Sequence, residues 1–432
     1  MTSVNRRRFL TASAAAGSAA FLGAGPKIGL RNERPVSVAC VGVGNRGETN
    51  TVLMVGQTVK AICDVDDKFL QPMLTRFPEA KPYVDWRELL EKEQLEALVV
   101  STPDHLHAPI ALTAMKKGLH VYIEKPIAHT IDEVRRIEAE AKARNLAVWM
   151  GNQHHISAGY LRVIDMIEAN LIGPIKEVHV WTNRPTWLQG VSRPAGEGEL
   201  PSTLNWDLWL GPAPVRPYQS IYHPVGWRGW WDFGGGAIAD MGPHLIDPVY
   251  TGLKLNTPVS ISVETDDKGN EECAPGWSIL TFDFPARGDM PPLKLTWYDG
   301  GKKPSQEVTG MRRLPMNGAM CIGEVGKISI PDLGRMPLAI PNVRGEPLPE
   351  LEQKVTLTRG HQQDWLDACR SGKPRHDQLT EACRLTELCL AGSIATRLKK
   401  SLKWDPSKGT FDDDAANKLR SREYREGWKL PG

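Results

Sequence analysis

The stretch Gly42-Val43-Gly44-Asn45-Arg46-Gly47 follows directly on the apolar run Val36–Val41, and few short segments restrict a fold more. A G-x-G-x-x-G at the end of a strand lets the backbone turn tightly, approach a pyrophosphate and enter a helix with its amides facing the ligand. Downstream, "AICDVD" places Asp64 at the end of a second strand-like run, where a carboxylate accepts hydrogen bonds from an adenosine ribose. A carboxylate there repels a 2′-phosphate, so NAD is expected over NADP. Arg46 can partly offset that repulsion, which leaves NADP possible.

From Pro35 to about Gln153, short apolar runs alternate with amphipathic segments, the pattern of an α/β fold with a doubly wound parallel sheet. The expected strands are Val36–Val41, Val59–Cys63, Ala97–Ser101, His120–Ile123 and Ala147–Met150. Thr130 and Glu133 form a capping box ahead of "VRRIEAEAKARN". Ligands of such sheets bind at the carboxyl ends of the strands. Thr102, Pro103, His105 and His107 in "TPDHLH", Glu124 and Lys125 in "EKP", and Gln153 after the last strand are therefore expected beside the cofactor. His107 reads equally as a structural hydrogen-bonding residue. Pro126 restrains Lys125 towards an extended backbone, which helps to aim its side chain.

The formal net charge of +2 over 432 residues, with acids and bases interspersed, supplies no basic stripe and argues against a nucleic-acid partner. Beyond residue 30 no apolar stretch approaches the roughly 20 residues of a membrane span. Arg6-Arg7-Arg8-Phe9-Leu10 followed by "TASAAAGSAAFLGAG" is similar to a twin-arginine export signal, so residues 1–33 are set aside as leader and linker. A cytoplasmic enzyme with a basic tail is the alternative. Seven cysteines without a C-x-x-C pair suggest neither a disulfide framework nor a zinc site.

With "GVGNRG", "CDVD", "TPDHLHAPIALTAMKKGLHVYIEKP" and "DMGPHLID", the chain resembles the Gfo/Idh/MocA oxidoreductases, most specifically over residues 36–155. The resemblance implies a Rossmann domain, here 34–155, and an α/β domain with an open, mostly antiparallel sheet, here 156–432, often used to form homo-oligomers. It also implies that Lys125 and a D-x-x-x-H pair, Asp240 and His244, surround the reacting carbon. If "AIADMGPHLIDPVY" is helical, the two share one face. Pro243 then requires a start near Ala239 to Met241. Removing a hydride from a secondary alcohol leaves a hydroxyl proton, which suits His244 as base, Lys125 as stabiliser of alkoxide charge and Asp240 as orienting group.

The second half carries a helical segment at 160–173, strand-like runs at 177–182, 259–264, 278–284 and 293–297, and helices at 361–369 and 380–398. Between them lies an insertion dense in Trp, Pro and Gly. Its His223, Trp230 and Trp231, with His154 at the domain junction, are candidate contacts to a sugar, whose C–H face suits an aromatic ring. Each tryptophan can equally be packing. His154, His223, Asp240 and His244 follow no metal-ligand spacing, so no metal is expected. The tail "FDDDAANKLRSREYREGW" reads as a short amphipathic helix. These features point to an NAD-dependent enzyme acting on a sugar, sugar derivative or polyol. Export implies that its cofactor travels bound. Redox-assisted glycoside cleavage and non-catalytic sugar binding are the alternatives, the former without the cysteine-rich motif of such enzymes.

Overall fold

The computed structural model describes residues 33–432 except 333, 344–346, 353–358 and 407. The twin-arginine segment lies outside the described residues. Residues 36–432 group as one unit.

The apolar runs of the first third become β1 (Ser37–Val41), β2 (Thr58–Cys63), β3 (Lys81–Tyr83), β4 (Ala97–Val100), β5 (His120–Ile123) and β6 (Val148–Met150). They form one parallel sheet in the order β3-β2-β1-β4-β5-β6. The order reverses between β1 and β4, and a crevice opens there at the strands' carboxyl ends. β1 and β4 are buried almost throughout because helices cover both faces. Thr130 caps the helix Ile131–Ala143 through the reciprocal Glu133 contact that the sequence predicts.

The second sheet has nine strands: β7 (Ile175–Trp181), β8 (Ser260–Thr265), β9 (Ser278–Phe284), β10 (Leu293–Tyr298), β11 (Gly318–Gly323), β12 (Gly326–Pro331), β13 (Leu338–Pro341), β14 (Leu402–Asp405) and β15 (Thr410–Phe411). Their order is β13-β12-β11-β7-β10-β9-β8-β14-β15, antiparallel except for β10 on β7. The tail differs from its expected helix. Thr410–Phe411 adds the edge strand, only Asp414–Lys418 is helical, and the rest runs back over the body, where Arg422 pairs with Glu133 at 2.9 Å.

The two sheets do not divide the chain into two consecutive halves. Helix His361–Ser371 buries Trp365, Leu366 and Cys369 in the same core as Val38, Cys40 and Ile62, and its His361 lies 3.0 Å from the Tyr122 hydroxyl. A segment from the far end of the chain thus closes one face of the Rossmann sheet. An apolar cluster of Trp209, Tyr218, Tyr222, Trp227, Trp230 and Phe233 orders the aromatic insertion.

Candidate active site

A cleft of about 460 Å³ runs along the carboxyl edge of the parallel sheet and is roofed by the insertion and by helix Gly236–Leu245. Gly42, Gly44, Asn45, Arg46, Asp64, Thr102, Pro103, Glu124, Lys125, Gln153, His154, His223, Asp240 and His244 all line it.

The glycine loop is shaped by contact. Gly42 has φ 77°, and a Cβ there would lie 2.8 Å from the Ser101 carbonyl; a Cβ on Gly47 would lie 2.0 Å from the Gly42 oxygen. Gly47 therefore serves close packing of helix on strand and does not line the cleft. The Asp64 carboxylate accepts from Val43 N at 2.7 Å and Asp66 N at 3.0 Å, so it braces the loop from β2 while lining the cleft. Burial pushes its pKa up to about 6 against the pull of those amides. The Thr102 hydroxyl and the Gln153 carbonyl are buried on the cleft wall without a hydrogen-bond partner. Buried polar atoms ordinarily have one. The glycine cradle, the acid on β2 and these two orphaned atoms fit a dinucleotide.

Arg46 and Glu124 are engaged with each other. Arg46 Nε lies 3.3 Å from Glu124 Oε1, which also accepts from Asn50 Nδ2 at 2.8 Å. Arg46 is thus tied to the end of β5, on the far side of β1 and β4 from Asp64's strand.

Lys125 leaves β5 at the mouth of the cleft and donates to both the main-chain oxygen and Oδ1 of Asp240, each at 2.8 Å. Arg228 Nε donates to the same Oδ1 at 3.0 Å. Burial alone would keep this carboxyl protonated, but Lys125 and Arg228 overcome it and hold Asp240 far below the usual carboxylate range. Asp104 has the opposite balance: burial pushes it up to about 8 despite the same two cations. The helix that carries Asp240 and His244 starts at Gly236, earlier than Pro243 suggested, because Gly234-Gly235-Gly236 breaks the chain there and the proline is accommodated inside.

His244 is oriented by Asn152, not by Asp240. Asn152 Nδ2 donates to the Pro243 carbonyl at 2.7 Å, which turns Oδ1 to the His244 Nδ1 at 2.8 Å. Nδ1 must then carry the proton, and Nε2 keeps its lone pair. Burial, with Lys125 and His154 nearby, holds the imidazole neutral well below the usual histidine range. The His154 ring stands edge-on to His244 at 5.6 Å.

Other expected contacts are placed elsewhere. His105 is fully buried against Trp209 and Phe233, with Nε2 2.9 Å from the Trp209 carbonyl. His107 spans the Thr102 and Pro126 carbonyls, 2.8 Å each, and so ties β4 to β5 from beneath the cleft. Trp230 is wholly buried in the insertion core. Trp231 donates to the Asn270 carbonyl and borders a different cavity, about 330 Å³, between the tail and helix His376–Leu398. The tryptophans that do line the cleft are Trp86, Trp187, Trp209 and Trp227. His223 lines it beside Phe69, 3.7 Å from Asp66. The four residues weighed as metal ligands do not assemble, and among the described residues no group of three or more His, Cys, Asp or Glu could hold a metal ion.

Sequence reasoning missed Asn152, Arg228, Asp104 and Trp187. Asn152 carried a signal in "GNQHH", directly after β6 on the ligand-binding edge.

Residues 36–152 match the family model described as "Oxidoreductase family, NAD-binding Rossmann fold", and residues 175–288 match "Oxidoreductase family, C-terminal alpha/beta domain", both of the GFO_IDH_MocA group. Among curated proteins, the chain is 30% identical over 152 residues to a glycosyl hydrolase family 109 protein of Shewanella pealeana, covering 32% of this chain and 33% of that protein. It is 31% identical over 147 residues to inositol 2-dehydrogenase of Salmonella typhimurium, covering 32% and 43%. The matches thus span less than half of those relatives. Among solved structures, the WlbA dehydrogenase from Bordetella pertussis, in complex with NADH and UDP-GlcNAcA, superposes with a TM-score of 0.61 at 18% identity over 87% of this chain and 99% of that one. This likeness is one of fold.

Proposed function

The chain belongs to the Gfo/Idh/MocA oxidoreductase family, and from that premise we propose that it oxidises or reduces a hydroxyl-bearing carbon of a sugar, sugar derivative or polyol. The observation that carries this reading is the Lys125–Asp240–His244 arrangement at the carboxyl edge of an NAD-binding Rossmann sheet. When bound, NAD supplies the electron-pair acceptor or donor at that edge. The backbone of Gly42 to Arg46 would hold its pyrophosphate, Asp64 its adenosine ribose, and Thr102 and Gln153 its remaining polar groups.

The protein's own residues manage the proton and the oxygen. His244 Nε2, kept unprotonated by Asn152 and by burial, takes the hydroxyl proton. The Lys125 ammonium, anchored on Asp240, lies beside the oxygen and stabilises the charge that develops there. Asp240 holds Lys125 and Arg228 in register. Trp187 gives the cleft an apolar wall against which a sugar ring packs, with Trp227 beside it under the Arg228 guanidinium. The test is reduction of bound nucleotide by a panel of sugars; if no member of a broad panel reduces it, the reading fails.

A second reading is favoured by the glycosyl hydrolase relative: transient oxidation acidifies a neighbouring C–H and a glycosidic bond is cleaved without net redox change. Product analysis on glycosides separates the two. We also propose twin-arginine export with tightly held NAD, supported by Arg6-Arg7-Arg8-Phe9-Leu10, and self-association through the open second sheet. Retention of an Arg6→Lys, Arg7→Lys variant in the cytoplasm tests the first, and the solution mass by light scattering tests the second.

A further inference from the structure

The charges on the two ends of the cleft are arranged differently. At the nucleotide end, Arg46 is matched by Glu124. At the substrate end, Lys125 and Arg228 share a single carboxylate oxygen, Asp240 Oδ1, so one positive charge is left over. Asp104 does little to cancel it, since its burial favours the neutral acid. Arg184 adds another charge: among the described residues its side chain bonds only the amide oxygen of Asn183, at 2.6 Å, and no carboxylate lies within salt-bridge reach.

The two arginines are also presented for use. Arg228 spends Nε on Asp240 and Nη1 on the Val225 carbonyl at 3.2 Å, while its guanidinium lies 4.3 Å from the Trp227 ring and 5.8 Å from that of Trp187. Those contacts fix the plane of the fork and leave Nη2 without a protein partner among the described residues. Arg184 stands three residues before Trp187, and both line the same cleft as Arg228. The Arg184 fork, which has no carboxylate partner among the described residues, and the spare Nη2 of Arg228 line one partly desolvated cleft and together form a receptor for a planar anion. A neutral sugar would leave that excess charge unanswered.

We infer that the substrate is an acidic sugar, a uronate or aldonate, whose carboxylate is held by Arg184 and Arg228 while a ring or chain hydroxyl meets Lys125 and His244. The inference rests on the oxidoreductase reading above. The side chains of Arg184 and Arg228 act as specificity-determining groups, distinct from the pair that handles the proton.

The experiment compares a uronate, its matching neutral aldose and the aldose 6-phosphate, reading both reduction of bound nucleotide and calorimetric binding. The uronate should have the highest kcat/KM, about tenfold or more above the aldose. Its KM should rise with ionic strength while that of the aldose stays level. Arg184→Gln should reduce the uronate-to-aldose ratio about tenfold through KM, and Arg184→Lys should restore part of it. Equal use of the aldose, preference for the phosphate, or a salt-independent uronate KM overturns the inference and leaves the oxidoreductase reading standing. If no sugar reduces the nucleotide but the uronate binds in an Arg184-dependent manner, the anion site stands and the oxidoreductase reading falls. The ionic-strength series on the unaltered protein decides the matter if Arg184→Gln does not fold.

Discussion

Asn152 Oδ1 lies 2.8 Å from His244 Nδ1, and this contact decides which imidazole nitrogen can accept a proton. Asn152→Ala frees the tautomer and should lower kcat by about 10- to 100-fold with a smaller effect on sugar KM. Asn152→Asp places a carboxylate against the ring, favours the imidazolium, and should move the acidic limb of the kcat/KM profile to higher pH. An unchanged limb in Asn152→Asp would show that His244 is not the base.

Lys125 and Asp240 are joined by two 2.8 Å contacts. Lys125→Met keeps the stem and removes the charge, so turnover should fall by about two to three orders of magnitude while NAD binding, measured by fluorescence, changes little. A parallel loss of NAD affinity would place Lys125 in cofactor binding instead.

Asp104 and Asp240 titrate in opposite directions. Asp104 keeps its proton in the folded chain up to about pH 8, whereas the unfolded chain releases it near pH 4, so folding loses stability as pH rises between those values. Asp104→Asn should remove that slope, with a gain that grows from pH 4 to pH 8 to the order of a few kcal/mol. Asp240 is held low, so its contribution is present above the unfolded pKa and is lost as pH falls through the folded one. Asp240→Asn should destabilise at pH 7 and flatten the acid limb. Thermal melts across pH 3 to 9 check both signs.

Asp64 accepts from Val43 and Asp66 and faces the nucleotide end of the cleft. Asp64→Ser should weaken NAD binding by about tenfold and narrow its advantage over NADP, both read by titration. A small loss of thermal stability should accompany it, because the loop loses its brace.

Trp365 is wholly buried in the Rossmann core although it stands more than 200 residues beyond that domain's last strand. Trp365→Ala should cost about 3–5 kcal/mol in a denaturant titration. A loss near zero would mean that residues 36–152 fold without the helix.

What could be read from the sequence was local. The glycine loop, Asp64, the strand-ending Lys125 and the i, i+4 pair Asp240 and His244 each announce themselves within a few residues, and all but Val43 and Gly47 among them line one cleft. Arg228 matters through Asp240, 12 residues away, and no short pattern marked it; "GNQHH" placed Asn152 on the ligand-binding edge, but its role depends on His244, 92 residues away. Tryptophans of the insertion follow no helix or strand period. Nothing therefore distinguished Trp227, on the cleft wall, from Trp230, in the core. Strands β11 and β12 escaped because "GAMCIG" is bounded by glycines and "GKISIP" by a glycine and a proline, and their pairing with β7 and with each other is what makes them strands.

The most direct test is a single-turnover measurement of the reduced-nicotinamide absorbance band, with NAD-loaded protein and an acidic or neutral sugar, in the unaltered chain, Lys125→Met and His244→Asn. The account predicts a fast rise in the unaltered chain and a rise slowed by about 100-fold or more in both variants, at unchanged nucleotide occupancy. Equal rates in all three proteins would contradict it.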